Sequence, residues 1–289
     1  MMRPVLQMIR PSHWIKNLFL LIPIFFAGRL FQIEQVEVIL AGIVAFSLVA
    51  SGIYIINDFK DLEVDKLHPL KKKRPLPSGS ISKSTAIILL TILLSIGLTL
   101  ASFLNTTFLI LLGVYLVLNI GYSFGLKNIP IVDLFIVSLG FLLRIHSGGI
   151  LSGVEVSHWL SIMIMLLALF LVLAKRRDDL VLQASTHSVI RKTSSSYNLE
   201  FINACLTMFA AVIVVAYIMY TVSEEVIQHF NSSYLFITTL FVIAGIMRYL
   251  QITLVEQNSG SPTSILVKDK FILITIALWI ISFYIIIYN

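Results

Sequence analysis

Nine apolar runs, each long enough to cross a lipid bilayer, follow one another along this chain and leave little room for anything else. A helical span needs about 20 apolar residues to cover roughly 30 Å of hydrocarbon. The runs fall at 17–33, 38–56, 84–103, 107–124, 130–151, 157–174, 203–222, 233–251 and 270–288. Backbone N–H and C=O groups find no water in lipid, so each run is expected as a helix rather than an open strand. Composition points the same way. The chain is 58% hydrophobic and 12% charged, against about 25% charged in soluble domains, and no soluble core of this size could hide so much apolar surface. The expected architecture is therefore all-α and membrane-embedded, with about nine transmembrane helices forming a single domain over residues 1–289.

The first run is the most interrupted, holding Pro23, Gly28 and Arg29. Arg3, Arg10 and Lys16 precede or open it, but no small-residue cleavage site follows, so it reads as a retained span and not a signal peptide. The lone Cys205 lies in an apolar run, which excludes a disulfide framework or a cysteine-based metal site.

The net charge of +6 says less than its distribution. With the N-terminus placed in the cytoplasm, that side and the even-numbered connections collect 19 of the 21 lysines and arginines. Arg29 stands on the other side and Arg144 inside a span. Such asymmetry is the positive-inside pattern, and one span more or fewer would scramble it. Three long connections, about 57–83, 175–202 and 252–269, lie on the basic side and carry most of the ionisable residues. Long loops in a compact protein are usually functional or disordered, and this loading favours function.

The most specific signal closes the second span: Asn57-Asp58-Phe59-Lys60-Asp61-Leu62-Glu63-Val64-Asp65. If the helix continues, Asp58, Asp61 and Asp65 are spaced i, i+3 and i+7 and share one face. Like charges so placed repel unless a cation sits among them. Mg2+ suits, being a hard ion held by one or two carboxylates together with phosphate oxygens. The alternative is a solvated acidic helix end, which the macrodipole opposes. Next comes His68-Pro69-Leu70-Lys71-Lys72-Lys73-Arg74-Pro75-Leu76-Pro77-Ser78-Gly79. Four consecutive cations could anchor the loop to anionic lipid headgroups. Beside three aspartates, Lys71 and Arg74 read better as phosphate contacts, leaving Lys72 and Lys73 to the lipid.

These residues resemble the UbiA superfamily of intramembrane prenyltransferases, through the Asn-Asp-x-x-Asp-x-x-x-Asp motif and the Arg-Pro-Leu-Pro-x-Gly turn. The resemblance extends along the whole chain to the branch of phosphoribosyl diphosphate:polyprenyl-phosphate transferases. It is carried by Arg10-Pro11-Ser12-His13-Trp14-Ile15-Lys16-Asn17, by Tyr122-Ser123-Phe124-Gly125-Leu126-Lys127 and by Asp133. Gly140-Phe141-Leu142-Leu143-Arg144, Gly148-Gly149, Ala174-Lys175-Arg176, Arg248-Tyr249 and Lys268-Asp269-Lys270 continue it. It implies nine helices around a central cavity and an acidic motif that binds a diphosphate through Mg2+.

Several of these residues also have plain readings. Arg144 is a charge inside a span, which usually marks a pathway or a buried pair, with Asp133 as its candidate partner or as a further acid of the phosphate site. Tyr122 and Lys127 sit where interfacial aromatics and snorkelling lysines are common. Lys175 and Arg176 could be helix-end cations. His13, His146, His158, His187 and His229 show no ligand spacing. Two departures stand out. The second aspartate motif of aromatic prenyltransferases is replaced by Lys175-Arg176-Arg177-Asp178-Asp179, and Pro262-Thr263-Ser264 stands where the branch often has Pro-Glu-Glu.

The resemblance thus implies a Mg2+-dependent enzyme of the plasma membrane, its site facing the cytoplasm. It would transfer a phosphoribosyl group from phosphoribosyl diphosphate to a polyprenyl phosphate. Asp58, Asp61 and Asp65 would hold the metal. Lys16, Asn57, Lys71, Arg74, Tyr122, Lys127, Asp133, Arg144, Lys175 and Arg176 would form the phosphate site. No nucleic-acid partner is expected, and homo-oligomers remain open. The alternatives are a prenyl transfer from an allylic diphosphate to an aromatic acceptor such as a hydroxybenzoate, and a lipid-phosphate carrier. The extra cations of the second site oppose the former. The latter expects ionisable residues near the midplane, whereas here most lie at one face.

Overall fold

The computed structural model describes residues 2–67, 71–186, 196–256, 265 and 268–288. Among these the chain is helical throughout, with no strand, and eight helices are long and apolar enough to cross a membrane. They are α3 (Ile33–Lys60), α5 (Lys83–Leu104), α6 (Thr106–Phe124), α7 (Val132–Ser152), α8 (His158–Thr186), α9 (Leu199–Val222), α11 (Thr239–Leu250) and α12 (Lys270–Tyr288). The span of α11 gains length from a 3-10 turn before it (Tyr234–Thr238) and a π-helical turn after it (Gln251–Val255). Shorter helices are α1 (Met2–Ile9), α2 (Ile22–Phe26), α4 (Leu62–Leu67) and α10 (Glu224–Phe230).

The run expected at 17–33 is built differently from the other eight. A 3-10 helix over Pro11–Leu21 leads into α2, and Gly28 then turns the chain with φ 68°. Prolines at 11 and 23 lack the N–H that an α-helix needs, and glycine alone adopts the left-handed turn without strain. The 3-10 rise of about 2.0 Å per residue lets these two short pieces still cover about 30 Å.

Helix starts follow from the local sequence. Ser82 accepts the Thr85 amide, Asn198 accepts that of Phe201, and Asn105 accepts those of Thr107 and Phe108. Each satisfies an otherwise orphaned donor of a first turn. Asn105 also terminates α5, so α5 and α6 meet at one residue.

The chain divides into two compact units, and the division passes through α7. The first comprises Met1–Lys127 with Leu139–Val156, and its core is Leu20, Ile24, Ile39, Phe46, Val49, Phe108, Leu112 and Leu151. Helix packing here is close: a Cβ on Gly148 would run into the Leu20 backbone carbonyl. The second unit comprises Asn128–Ser138 with Ser157–Asn289, around Leu169, Phe170, Leu173, Ile202, Leu206, Ile213 and Ile272.

Helix α3 positions the acids. Its 28 residues rise about 42 Å, longer than the roughly 30 Å of hydrocarbon. The surplus is shared by its two ends, which carry Glu34, Gln35 and Glu37 at the start and Asn57, Asp58 and Lys60 at the finish. Ser47, Ser51, Tyr54 and Asp58 form a polar stripe along one face, at i, i+4, i+7 and i+11. The 3-10 helix lies along this stripe: Trp14 Nε1 donates to Ser51 Oγ at 3.0 Å and Asn17 Nδ2 to Ser47 Oγ at 2.8 Å.

Candidate active site

In the first unit, α3 ends at Lys60 and Asp61 caps it before α4 begins, so the three acids do not share one uninterrupted helix face. They are instead met one by one by cations. Asp58 is 1% exposed, and both its oxygens accept from Arg10 Nη2, at 2.6 and 2.8 Å. Arg74 Nη1 donates to Asp58 Oδ1 at 3.1 Å and to Asp65 Oδ2 at 2.7 Å. Lys71 Nζ lies 3.8 Å from Asp65 Oδ1. Lys127, just after α6, reaches Asp61 Oδ1 at 2.5 Å. Asn57 ties this last pair together, donating to Asp61 Oδ2 at 3.1 Å and accepting from Lys127 at 3.4 Å and Ser123 at 3.5 Å.

Low dielectric makes this neutralisation necessary. Asp58 and Asp65 are both buried, and an isolated buried carboxylate costs several kcal/mol. Four cations, Arg10, Lys71, Arg74 and Lys127, meet the three acids of the motif. Glu63, facing water, pairs instead with Lys66 on its own helix at 2.8 Å, which holds its carboxyl below the usual range.

The donor set is compatible with a hard divalent ion, although no group of three acidic or histidine residues among the described residues is gathered to hold one. Two observations carry the fit. One arginine nitrogen bonds both Asp58 and Asp65, so a single cation can serve the pair. Asp65 Oδ1 is buried and makes no hydrogen bond among the described residues, with Lys71 standing off at 3.8 Å, an acceptor of the kind Mg2+ takes.

Helix α7 carries the next candidate into the first unit, and among the described residues it has no acidic partner there. Arg144, 5% exposed, donates from Nε to Asn17 Oδ1 at 2.8 Å, from Nη1 to the Gly140 carbonyl at 2.7 Å and from Nη2 to the Tyr115 hydroxyl at 2.9 Å. Its guanidinium lies 4.8 Å from the ring centres of both Phe46 and Tyr115, and 5.6 Å from that of Phe141. Neutral acceptors and aromatic faces thus hold the charge. Asn17 bonds Ser47, three turns and about 16 Å before Asp58 along α3. Neutral groups, and none of the three acids, take the hydrogen bonds of Arg144.

The partner suggested for Arg144 is engaged elsewhere, in the second unit. Asp133 is fully buried, accepts from Arg176 Nε at 2.8 Å on Oδ2 and takes the Tyr197 hydroxyl at 3.0 Å on Oδ1. Arg176, 3% exposed, also reaches Asp179 at 3.2 Å. The Tyr197 oxygen in turn accepts the Ile131 amide at 2.6 Å. Ile131 adopts φ 68°, a strained conformation for a β-branched residue, and this bond helps fix it. Burial pushes the Tyr197 hydroxyl's pKa up, so it stays protonated as a donor to Asp133.

A family model decides what these features belong to: the description "UbiA prenyltransferase family" matches residues 18–275. The chain belongs to the UbiA family. Within that family it is 30% identical over 283 residues to the decaprenyl-phosphate phosphoribosyltransferase of Corynebacterium glutamicum, covering 96% of this chain and 84% of that one. The Mycolicibacterium smegmatis protein of the same name is 30% identical over 286 residues, covering 96% and 90%. A solved UbiA homologue from Archaeoglobus fulgidus, bound to DMAPP and Mg2+, shares the fold at TM-score 0.69 and 20% identity, over 98% of both chains.

For this UbiA protein the remaining expected residues fall as follows. Lys16 and Tyr122 are half-buried in the first unit, and Lys175 is exposed on α8 in the second. His68, Pro69 and Leu70, with His187 and Pro262-Thr263-Ser264, lie outside the described residues. Sequence reasoning quoted Arg10, Asn17 and Ser123 within motifs without giving them a place in the site, and it missed Tyr115 and Tyr197. The polar stripe on α3 was the available signal for Arg10 and Asn17, since a span with four polar groups on one face needs a polar partner.

Proposed function

We propose that this enzyme transfers a 5-phosphoribosyl group from phosphoribosyl diphosphate to a polyprenyl phosphate, releasing diphosphate, at the cytoplasmic face of the plasma membrane and with Mg2+. The observation that carries the reading is the cluster of Asp58, Asp61 and Asp65, each met by a cation, at the end of a membrane span. Full-length similarity to curated phosphoribosyltransferases supports this donor over an allylic one.

Asp58 and Asp65, with Asp61 beside them, would hold the metal. When bound, Mg2+ supplies Lewis-acid stabilisation of the departing diphosphate. The chain's own cations do the rest. Arg10, Lys71, Arg74 and Lys127, which now neutralise the acids, are the groups that would turn to diphosphate oxygens and stabilise the charge that develops there. Lys16, Tyr122 and Lys175 are further candidates for phosphate oxygens, and Asn57 would orient Lys127 and Asp61 together. Asp133 would act through Arg176 by fixing its guanidinium. The acceptor phosphate is already anionic, so no general base is required, and bond breaking at the anomeric carbon needs alignment and charge neutralisation instead. The whole chain would then work as one transferase domain, alone or as a homo-oligomer.

The test is direct. Protein reconstituted with labelled phosphoribosyl diphosphate, a polyprenyl phosphate and Mg2+ yields lipid-soluble label, and chelation abolishes it. Failure with this donor, together with alkylation of an aromatic acid by an allylic diphosphate, would overturn the reading in favour of prenyl transfer.

A further inference from the structure

Arg10 closes on Asp58 from a backbone held in an unusual way. Between α1 and the 3-10 helix it adopts φ 52° and ψ 61°, the left-handed region that L side chains rarely enter. Such a conformation persists only where its surroundings over-determine it. The Arg10 amide donates to the Leu6 carbonyl at 3.2 Å, and its own carbonyl accepts from the His13 amide at 2.9 Å. Its guanidinium is fixed by both oxygens of Asp58. What remains is the carbonyl of Ile9, the last residue of α1. The closing carbonyls of a helix have no helical donor. Pro11 has no N–H to give, and the His13 amide is spent on Arg10.

Ser51 supplies that donor from α3. Its hydroxyl, fully buried, donates to the Ile9 carbonyl at 2.8 Å. It also accepts the Trp14 indole N–H at 3.0 Å, so one oxygen holds the chain on both sides of Arg10. The Ser47 carbonyl stands equally near, at 2.8 Å, but in an α-helix that group already receives the N–H four residues on. The single hydroxyl proton therefore satisfies more at Ile9. Ser51 and Asp58 are i and i+7 along α3 and share one face. That face thus grips the backbone before Arg10 and, about 10 Å further along the helix, the Arg10 side chain.

We infer that Ser51 is a positioning residue of the site: through the Ile9 carbonyl it sets the left-handed turn that aims Arg10 at Asp58. The functional half of the inference rests on the reading of Asp58 as part of a phosphoribosyl-transfer site. Among the described residues Ser51 makes no hydrogen bond to an acid, and it reaches Asp58 by way of Arg10.

A double-mutant cycle on the full-length protein in nanodiscs tests this, read first by thermal unfolding, which needs no substrate. Arg10→Ala, Asp58→Asn and the two together give the coupling between these residues, and the cycle is repeated in a Ser51→Ala background. Ser51→Ala should shrink the coupling at least about threefold, and Ser51→Thr, which keeps the hydroxyl, should retain most of it. Trp14→Phe removes the other bond of the same hydroxyl and should also leave most of it. Ser51→Cys, a weak donor, takes the place of Ser51→Ala if that protein does not fold. The second readout is phosphoribosyl transfer. Ser51→Ala should lower kcat/KM about tenfold on its own and less than about twofold when Arg10 is already Ala. An unchanged coupling in Ser51→Ala, or an equal loss in Trp14→Phe, overturns the inference, because packing of the 3-10 helix then holds the turn. A kcat/KM that Ser51→Ala leaves unchanged, or lowers equally with and without Arg10, overturns it too. If wild type itself transfers no phosphoribosyl group, the functional reading falls, and the melting cycle still decides what places Arg10.

Discussion

Lys127, at the first turn after α6, is ion-paired to Asp61 at the end of α3, with 2.5 Å between Nζ and Oδ1 across 66 residues of sequence. Both partners are partly exposed, so the pair is worth only about 1 kcal/mol to stability. Asp61→Asn should therefore melt close to wild type yet lose the proposed phosphoribosyl transfer about 100-fold. The doubly substituted Asp61→Lys, Lys127→Asp protein should regain the ion pair and not the activity. A return of turnover in that protein would show that Asp61 serves only to hold Lys127.

Arg144 makes three hydrogen bonds to neutral groups in a buried setting. Replacing it by Met leaves Asn17 Oδ1 and the Tyr115 hydroxyl without their partner, at about 1–3 kcal/mol for each unsatisfied group. Thermal unfolding in detergent should show the loss. Arg144→Lys should recover part of it at most, since an ammonium cannot reproduce the fork that meets three acceptors.

Gly148 faces the Leu20 backbone, with no room for a Cβ. Gly148→Ala should destabilise the first unit by about 1–3 kcal/mol, the usual range for overpacking, because a backbone carbonyl cannot rotate aside as a side chain can. Unchanged melting would mean that the 3-10 segment yields without loss.

Asp269 receives Arg248 Nη2 at 2.8 Å, and this hydrogen bond holds its carboxyl below the ordinary value. A depressed carboxyl contributes stability above its unfolded pKa, about 3.9, and loses it as pH falls through the folded value. The difference in melting temperature between wild type and Asp269→Asn should accordingly be constant well above the unfolded value of about 3.9 and shrink as pH falls below it. A difference that instead vanished near neutrality would exclude this bond as its source.

The Tyr197 hydroxyl serves Asp133 and Ile131 at once. Tyr197→Phe removes a donor from a buried carboxylate and an acceptor from a strained turn, at about 1–3 kcal/mol. If Asp133 acts by fixing Arg176, the same variant should raise the KM for the proposed donor, phosphoribosyl diphosphate, more than it lowers kcat.

Eight of the spans were legible because a bilayer demands one thing of a helix, an unbroken apolar stretch, and the runs from 38–56 to 270–288 supply it. The run at 17–33 was legible as apolar but not in its form, since two prolines and Gly28 act on backbone geometry that hydropathy does not register. In the site, Asp58, Asp61, Asp65, Lys71 and Arg74 lie within one stretch of sequence, so their chemistry could be read together. Arg10 reaches Asp58 across 48 residues, and nothing local to Arg10 announces an acid. The pairing of Asp133 was missed for a similar reason: Arg144 is the nearby arginine on the same helix, and only packing brings Arg176, 43 residues on, to Asp133 instead.

The surplus length of α3 has a further consequence for where this enzyme can work. Mismatch between a rigid helix and its membrane is relieved by tilting or by local thinning, at fractions of a kcal/mol per Å. A thicker bilayer would draw the acids toward acyl chains and away from Mg2+ and water, whereas a thinner one would lift them clear. Acyl-chain length in the surrounding lipid would thus bear on how near to water the Arg10–Asp58 pair stands, in addition to the side chains that already bury it.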